Sequence, residues 1–106
     1  MTTVKLFKEN GRICGFSVAD HSGYDEEGED IVCAAVSSAV QFAANGITEI
    51  AGAEADVSVN EKTAEITLRT DPSNEGAQLL LAAFALHMEI LSEDYSENII
   101  YRILEV

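Results

Sequence analysis

Residues 3–19, TVKLFKENGRICGFSVA, decide the architecture. Apolar and polar side chains alternate well enough over 3–8 and 12–19 for two strands. Asn10-Gly11 lies between them, and both residues tolerate positive φ, which makes the pair the strongest short hairpin signal. Working outward, 54–59 and 63–69 read as a second strand pair. Asn60-Glu61-Lys62 makes its turn, and Val57 and Val59 face Ala64, Ile66 or Leu68. Residues 98–105 close the chain as a strand, with Ile99, Tyr101 and Ile103 on one face.

Two helices separate these strands. Residues 31–45 read as the first, with Asp30 as N-cap and Asn45-Gly46 as the stop. It is rich in small residues: Ala34, Ala35, Ala39, Ala43 and Ala44. The second opens at Thr70-Asp71-Pro72-Ser73, with Asp71 or Ser73 as cap, and runs to about Ser92. Residues 20–30, DHSGYDEEGED, hold two glycines and no apolar period, so they read as a loop. The order is β-β-α-β-β-α-β. That implies an α+β fold, a mixed sheet of about five strands packed with two helices, in one domain over 1–106. No internal repeat or linker interrupts it.

The second helix has two apolar stripes. Ala77, Leu80, Leu81, Phe84, Met88 and Leu91 fit a core face, and Leu79, Ala82, Ala83, Leu86 and Ile90 populate the side beside it. A helix apolar over most of its girth must bury both sides. Two covers are open for the second stripe: a homodimer partner, or the first helix or a loop.

The chain carries 19 acidic against 6 basic residues, a net charge of −13. Such a surface repels phosphate, which disfavours direct nucleic-acid binding and attachment to anionic lipid. It speeds encounter with cationic partners. No apolar run is expected to approach the roughly 20 residues of a membrane span. Met1-Thr2-Thr3-Val4-Lys5 has no apolar signal core, so a cytoplasmic location is expected. Two cysteines, Cys14 and Cys33, make no disulfide framework and read as reduced thiols.

Cys33, three residues after the expected cap, falls in the first helical turn, where the helix end carries partial positive charge. Thiol pKa values fall there and beside an imidazolium. His21 lies twelve residues upstream, across a glycine-containing loop. Cys and His meeting at a helix start is one way to build a thiolate nucleophile and its general base. The same residues also read as a small buried hydrophobe between Val32 and Ala34, and as a solvated loop histidine.

His21-Ser22-Gly23-Tyr24, followed by Gly28-Glu29-Asp30-Ile31-Val32-Cys33-Ala34-Ala35-Val36-Ser37, closely resembles the ribosomal-processing cysteine protease family, Prp. The likeness extends over the rest of the chain. It implies that Cys33 is the nucleophile and His21 the general base, with Asp30 and Ser37 as supporting polar residues. Ser22, Gly23, Tyr24 and Gly28 would form a substrate loop with glycine hinges, disordered when empty. It implies a basic ribosomal protein precursor as substrate, losing its N-terminal extension by a cut after paired aromatics and before a small residue. It implies no metal and no organic cofactor. Helix-start N–H groups are expected to hold the oxyanion. One departure stands out: the family often has Gly before the His, where this chain has Asp20.

Three other chemistries fit less of the sequence. A non-catalytic acidic chaperone for a basic ribosomal protein needs no thiol. Asp20, His21, Asp25, Glu26 and Glu29 offer metal ligands, but their spacing matches no loop motif. A redox pair is disfavoured, because Cys14 lies on a strand and no Cys-x-x-Cys exists. Cys14 reads as core, and His87 as a helix C-terminal residue favoured by the dipole.

Overall fold

The computed structural model describes residues 1–20 and 27–106, and the side chains of these except 20 and 27–30. Strands β1 (Thr2–Glu9) and β2 (Arg12–Asp20) lead into helix α1 (Glu27–Asn45), which continues through one π-helical turn, Gly46–Ile50. Strands β3 (Ala55–Asn60) and β4 (Glu65–Thr70), helix α2 (Glu75–Asp94) and strand β5 (Ile99–Glu105) complete the chain. The sheet order is β3-β4-β2-β1-β5. Among the described residues only β1 and β5 run parallel, and the other pairs are antiparallel. This is the expected mixed five-stranded sheet with two helices.

The first hairpin turns on Asn10 at φ 52° and Gly11 at φ 79°, the conformation its residue types favour. One residue is extra in β2: the pairing steps from Phe7↔Gly15 to Lys8↔Ile13, leaving Cys14 in a bulge. Its thiol donates to the Phe7 carbonyl at 3.4 Å. Gly15 then approaches β4 so closely that an added Cβ would lie 2.1 Å from the Leu68 carbonyl oxygen.

Both helices contribute an inward row at helical spacing. Val32, Val36, Val40, Ala43 and Ile47 come from α1 and its extension; Ala77, Leu81, Phe84 and Met88 come from α2. They meet Val4, Leu6, Phe16, Val18 and Leu68 from the sheet. Phe16 and Phe84 stack with centroids 4.4 Å apart. Apolar burial of this kind is the main favourable term in folding.

Four expectations change. Helix α1 begins at Glu27, so Asp30 lies within it and does not cap it, and Gly28 is helical instead of a loop hinge. Acids at 27, 29 and 30 sit in the first turn, where the helix dipole favours negative charge; that signal outweighs the missing apolar period. Helix α2 is capped by Asn74, whose Oδ1 accepts from the Ala77 N–H at 2.9 Å. Asp71 is engaged in its own turn, accepting from the Ser73 N–H at 2.9 Å, which holds its carboxyl below the ordinary value. Asn45 has right-handed helical angles and stops nothing; the chain leaves the helix at Gly52, φ 63°. Finally, Ile31–Ile50 is, by length and composition, long and apolar enough to cross a membrane. It holds no charge before Glu49. Its valine row is packed into the core against the sheet, as a core helix requires.

Candidate active site

Cys33 is the seventh residue of α1 and is half-buried. One turn on is Ser37 and two turns on is Gln41, all on one helix flank. This flank faces the ends of β2 and β4 across a pocket of about 190 Å³. Val18, Val36, Val40 and Ile66 give it an apolar lining; Thr2, Ser37 and Gln41 add polar groups, and Ala64 closes the hairpin side. The cross-sheet register explains the wall: Val18 is opposite Ile66 in the β2–β4 pairing. A thiol beside an apolar pocket with a few polar groups can meet a peptide carbonyl whose neighbouring side chain fills the pocket.

Of the expected site residues, Cys33 and Ser37 are brought to this pocket together. Asp30 lies in the first turn of α1, as does Gly28. His21, Ser22, Gly23 and Tyr24 lie outside the described residues. The early start of α1 also moves Cys33 out of the first turn. Its N–H falls within the helical hydrogen-bond ladder, where only the first four N–H groups lack partners. The expected oxyanion donors at residue 31 onward are therefore engaged by the helix itself. The field of the helix end, which falls off within a turn, is weaker at Cys33 than a start at 31 implied.

The sequence reading did not find Gln41 or the strand residues of the pocket. The i, i+4, i+8 spacing of Cys33, Ser37 and Gln41 was the available signal for the helix flank. Nothing local marks Val18, Ala64 and Ile66, which join the pocket through strand pairing. Cys14 is separate from the site: it is buried, and burial followed by the nearby Glu9 raises its thiol pKa, so it stays protonated. Neither cysteine is in a disulfide. His87 lies on a different surface, an apolar groove of about 520 Å³ between α1 and α2, with Ala39, Phe42, Leu80 and Ala83.

Known proteins share this chain and fold. The ribosomal processing cysteine protease Prp of Bacillus subtilis is 29% identical over 102 residues, covering 92% of this chain and 90% of its own. The crystal structure of an essential ribosomal processing protease Prp from S. aureus, in complex with a substrate peptide, superposes with a TM-score of 0.89. It is 25% identical, covering 98% of this chain and 100% of that one. The structure of the S. aureus protease with a covalently linked product peptide gives a TM-score of 0.86, at 26% identity over 98% of this chain and 100% of that one. The profile of the family described as Cysteine protease Prp matches residues 1–100. With that match over nearly the whole length, and Cys33 lining a pocket of about 190 Å³, the chain belongs to the Prp family of cysteine proteases.

Proposed function

We propose that this protease removes the N-terminal extension of a basic large-subunit ribosomal protein, protein twenty-seven of the bacterial large subunit, in the cytoplasm during ribosome maturation. The observation that carries the reading is the half-buried Cys33 thiol opening onto the apolar pocket beside Val18 and Ile66. In this mechanism His21 accepts the Cys33 proton and the thiolate attacks the scissile carbonyl carbon. The tetrahedral adduct collapses as His21 protonates the leaving amine. Water, deprotonated by His21, then cleaves the thioester and restores the thiol. Ser37, one turn below Cys33, supports the site from the pocket side, and Asp30 from the first turn of α1. Ser22, Gly23, Tyr24 and Gly28 flank the bound peptide. The net charge of −13 attracts a basic substrate.

The enzyme works as a homodimer through the α1–α2 face. Phe42, Leu79 and Leu86 are 75%, 75% and 60% exposed there. No Asp, Glu, Lys or Arg occurs over 31–48 or 76–88, so two strongly acidic copies meet on this face without opposed carboxylates.

The test mixes the protein with a peptide carrying two aromatics, then Ala-Ser and a basic tail, and reads products by mass spectrometry. A single cut after the aromatics, lost in Cys33→Ala and His21→Ala, is expected. Tight peptide binding without a cut, unchanged by Cys33→Ala, overturns proteolysis in favour of a chaperone role. Sedimentation tests the dimer: a monomer at micromolar concentration refutes it.

A further inference from the structure

On the helix-covered side of the sheet, Ala55 of β3 packs against the core while Val57 and Val59 stand out of it. Val57 is opposite Leu68 and Val59 is opposite Ile66, so both valines share the face that Leu68 buries completely. Yet they are 48% and 65% exposed. Among the described residues, the outer edge of β3 has no strand partner. Ile66 is the joint: one side of it lines the pocket at Cys33, and Val59 pairs on the other. The two exposed valines therefore adjoin Ile66, which itself lines the pocket at Cys33.

We infer that Val57 and Val59 form a second subsite of the protease, seating an apolar side chain of the substrate away from the scissile bond. The inference rests on the proteolytic reading of Cys33. Adjacent strands lie about 4.8 Å apart, and an extended peptide advances about 3.3 Å per residue. A peptide crossing from the pocket to Val59 therefore spans about two to three residues. The occupant is an extended basic peptide, and charge identifies it. The segment from Glu54 to Thr70 holds Glu54, Asp56, Glu61 and Glu65 against Lys62 and Arg69. A second acidic copy laid on β3 sets carboxylates against carboxylates, whereas the charge-free α1–α2 face does not. A basic peptide with one apolar residue satisfies both the valines and the acids around them.

The experiment uses a twelve-residue version of the aromatic-Ala-Ser peptide with one leucine three positions from the bond, on either side in two versions. Steady-state kinetics compare the wild type with a Val57→Thr/Val59→Thr variant, which keeps β-branched shape and strand preference. Loss of two methyl contacts is expected to raise KM about 5- to 10-fold for one version, with kcat within about twofold. Replacing that leucine by serine is expected to cost the wild type the same factor and the variant nothing further. Equal KM values, or losses that simply add, overturn the subsite. A changed sedimentation coefficient with unchanged KM assigns β3 to self-association and also overturns it. If the wild type does not cut, proteolysis is what has failed. Fluorescence anisotropy of the labelled peptides then decides the subsite by the same wild-type-to-variant ratio.

Discussion

Replacing Gly15 by alanine tests the sheet that carries the pocket wall. A Cβ at position 15 meets the Leu68 carbonyl oxygen at 2.1 Å, the Arg69 Cα at 3.1 Å and the Leu68 carbonyl carbon at 3.2 Å. All three are backbone atoms, so no side-chain rotamer relieves the clash. Non-bonded heavy atoms settle at about 3.5 Å, so β2 and β4 must part by about 1.4 Å. Five residue pairs, Gly15↔Arg69 through Ala19↔Glu65, share that junction. Overpacking a well-filled site costs about 1–3 kcal/mol, and a clash against backbone alone falls at the upper end. A loss of about 3 kcal/mol lowers the urea midpoint by about 1.5 M for a slope near 2 kcal/mol/M. It lowers the melting temperature by about 12 °C in a chain of this length. Val18 and Ile66 face each other across the same junction, so KM for the peptide is expected to rise as well. Urea unfolding followed by circular dichroism, with kinetics on the folded fraction, measures both. A destabilisation below about 0.5 kcal/mol with unchanged KM refutes the close β2–β4 approach.

Four further outcomes follow from the packing. Leu81 is fully buried between α2 and the sheet, and Leu81→Ala is expected to cost about 3–5 kcal/mol in urea unfolding. Asn74→Ala removes the cap of α2 and is expected to cost about 1 kcal/mol, with Asn74→Asp restoring most of it. Cys14 has its folded thiol pKa raised by burial, above the ordinary value of 9.0. Its contribution to stability is therefore complete below that value and is lost as pH rises from it through the folded pKa. A pH series of urea midpoints is expected to fall more steeply on the alkaline side for the wild type than for Cys14→Ala. In a native thiol titration, Cys33 is expected to react ahead of Cys14.

Local chemistry set most of what was readable along the chain. Asn10-Gly11 needs no distant partner to adopt positive φ, so the first hairpin was legible from two residues. Period-two alternation set Val57 and Val59 against Ala64, Ile66 or Leu68, and the pairing selects Leu68 for Val57 and Ile66 for Val59. Helix ends were harder, because several side chains compete for the same free N–H groups. Asp71, Ser73 and Asn74 all suit a cap, and the Asp71–Ser73 turn leaves the role to Asn74. At α1, carboxylates that read as loop were placed to favour a helix start.

The sequence by itself determined the strand and helix order, the inward stripes, the acidity that selects basic partners, and the motif around Cys33. Those properties depend on each residue and its near neighbours. Tertiary structure alone decided that β4 lies beside β2, setting Ile66 against Val18 at the pocket and leaving Val57 and Val59 uncovered. The two residues of that wall are 48 positions apart, and their meeting depends on which strands pair and on the close approach Gly15 permits. Pairing of this kind is fixed by the whole apolar surface that folding must bury, which no short stretch of sequence contains.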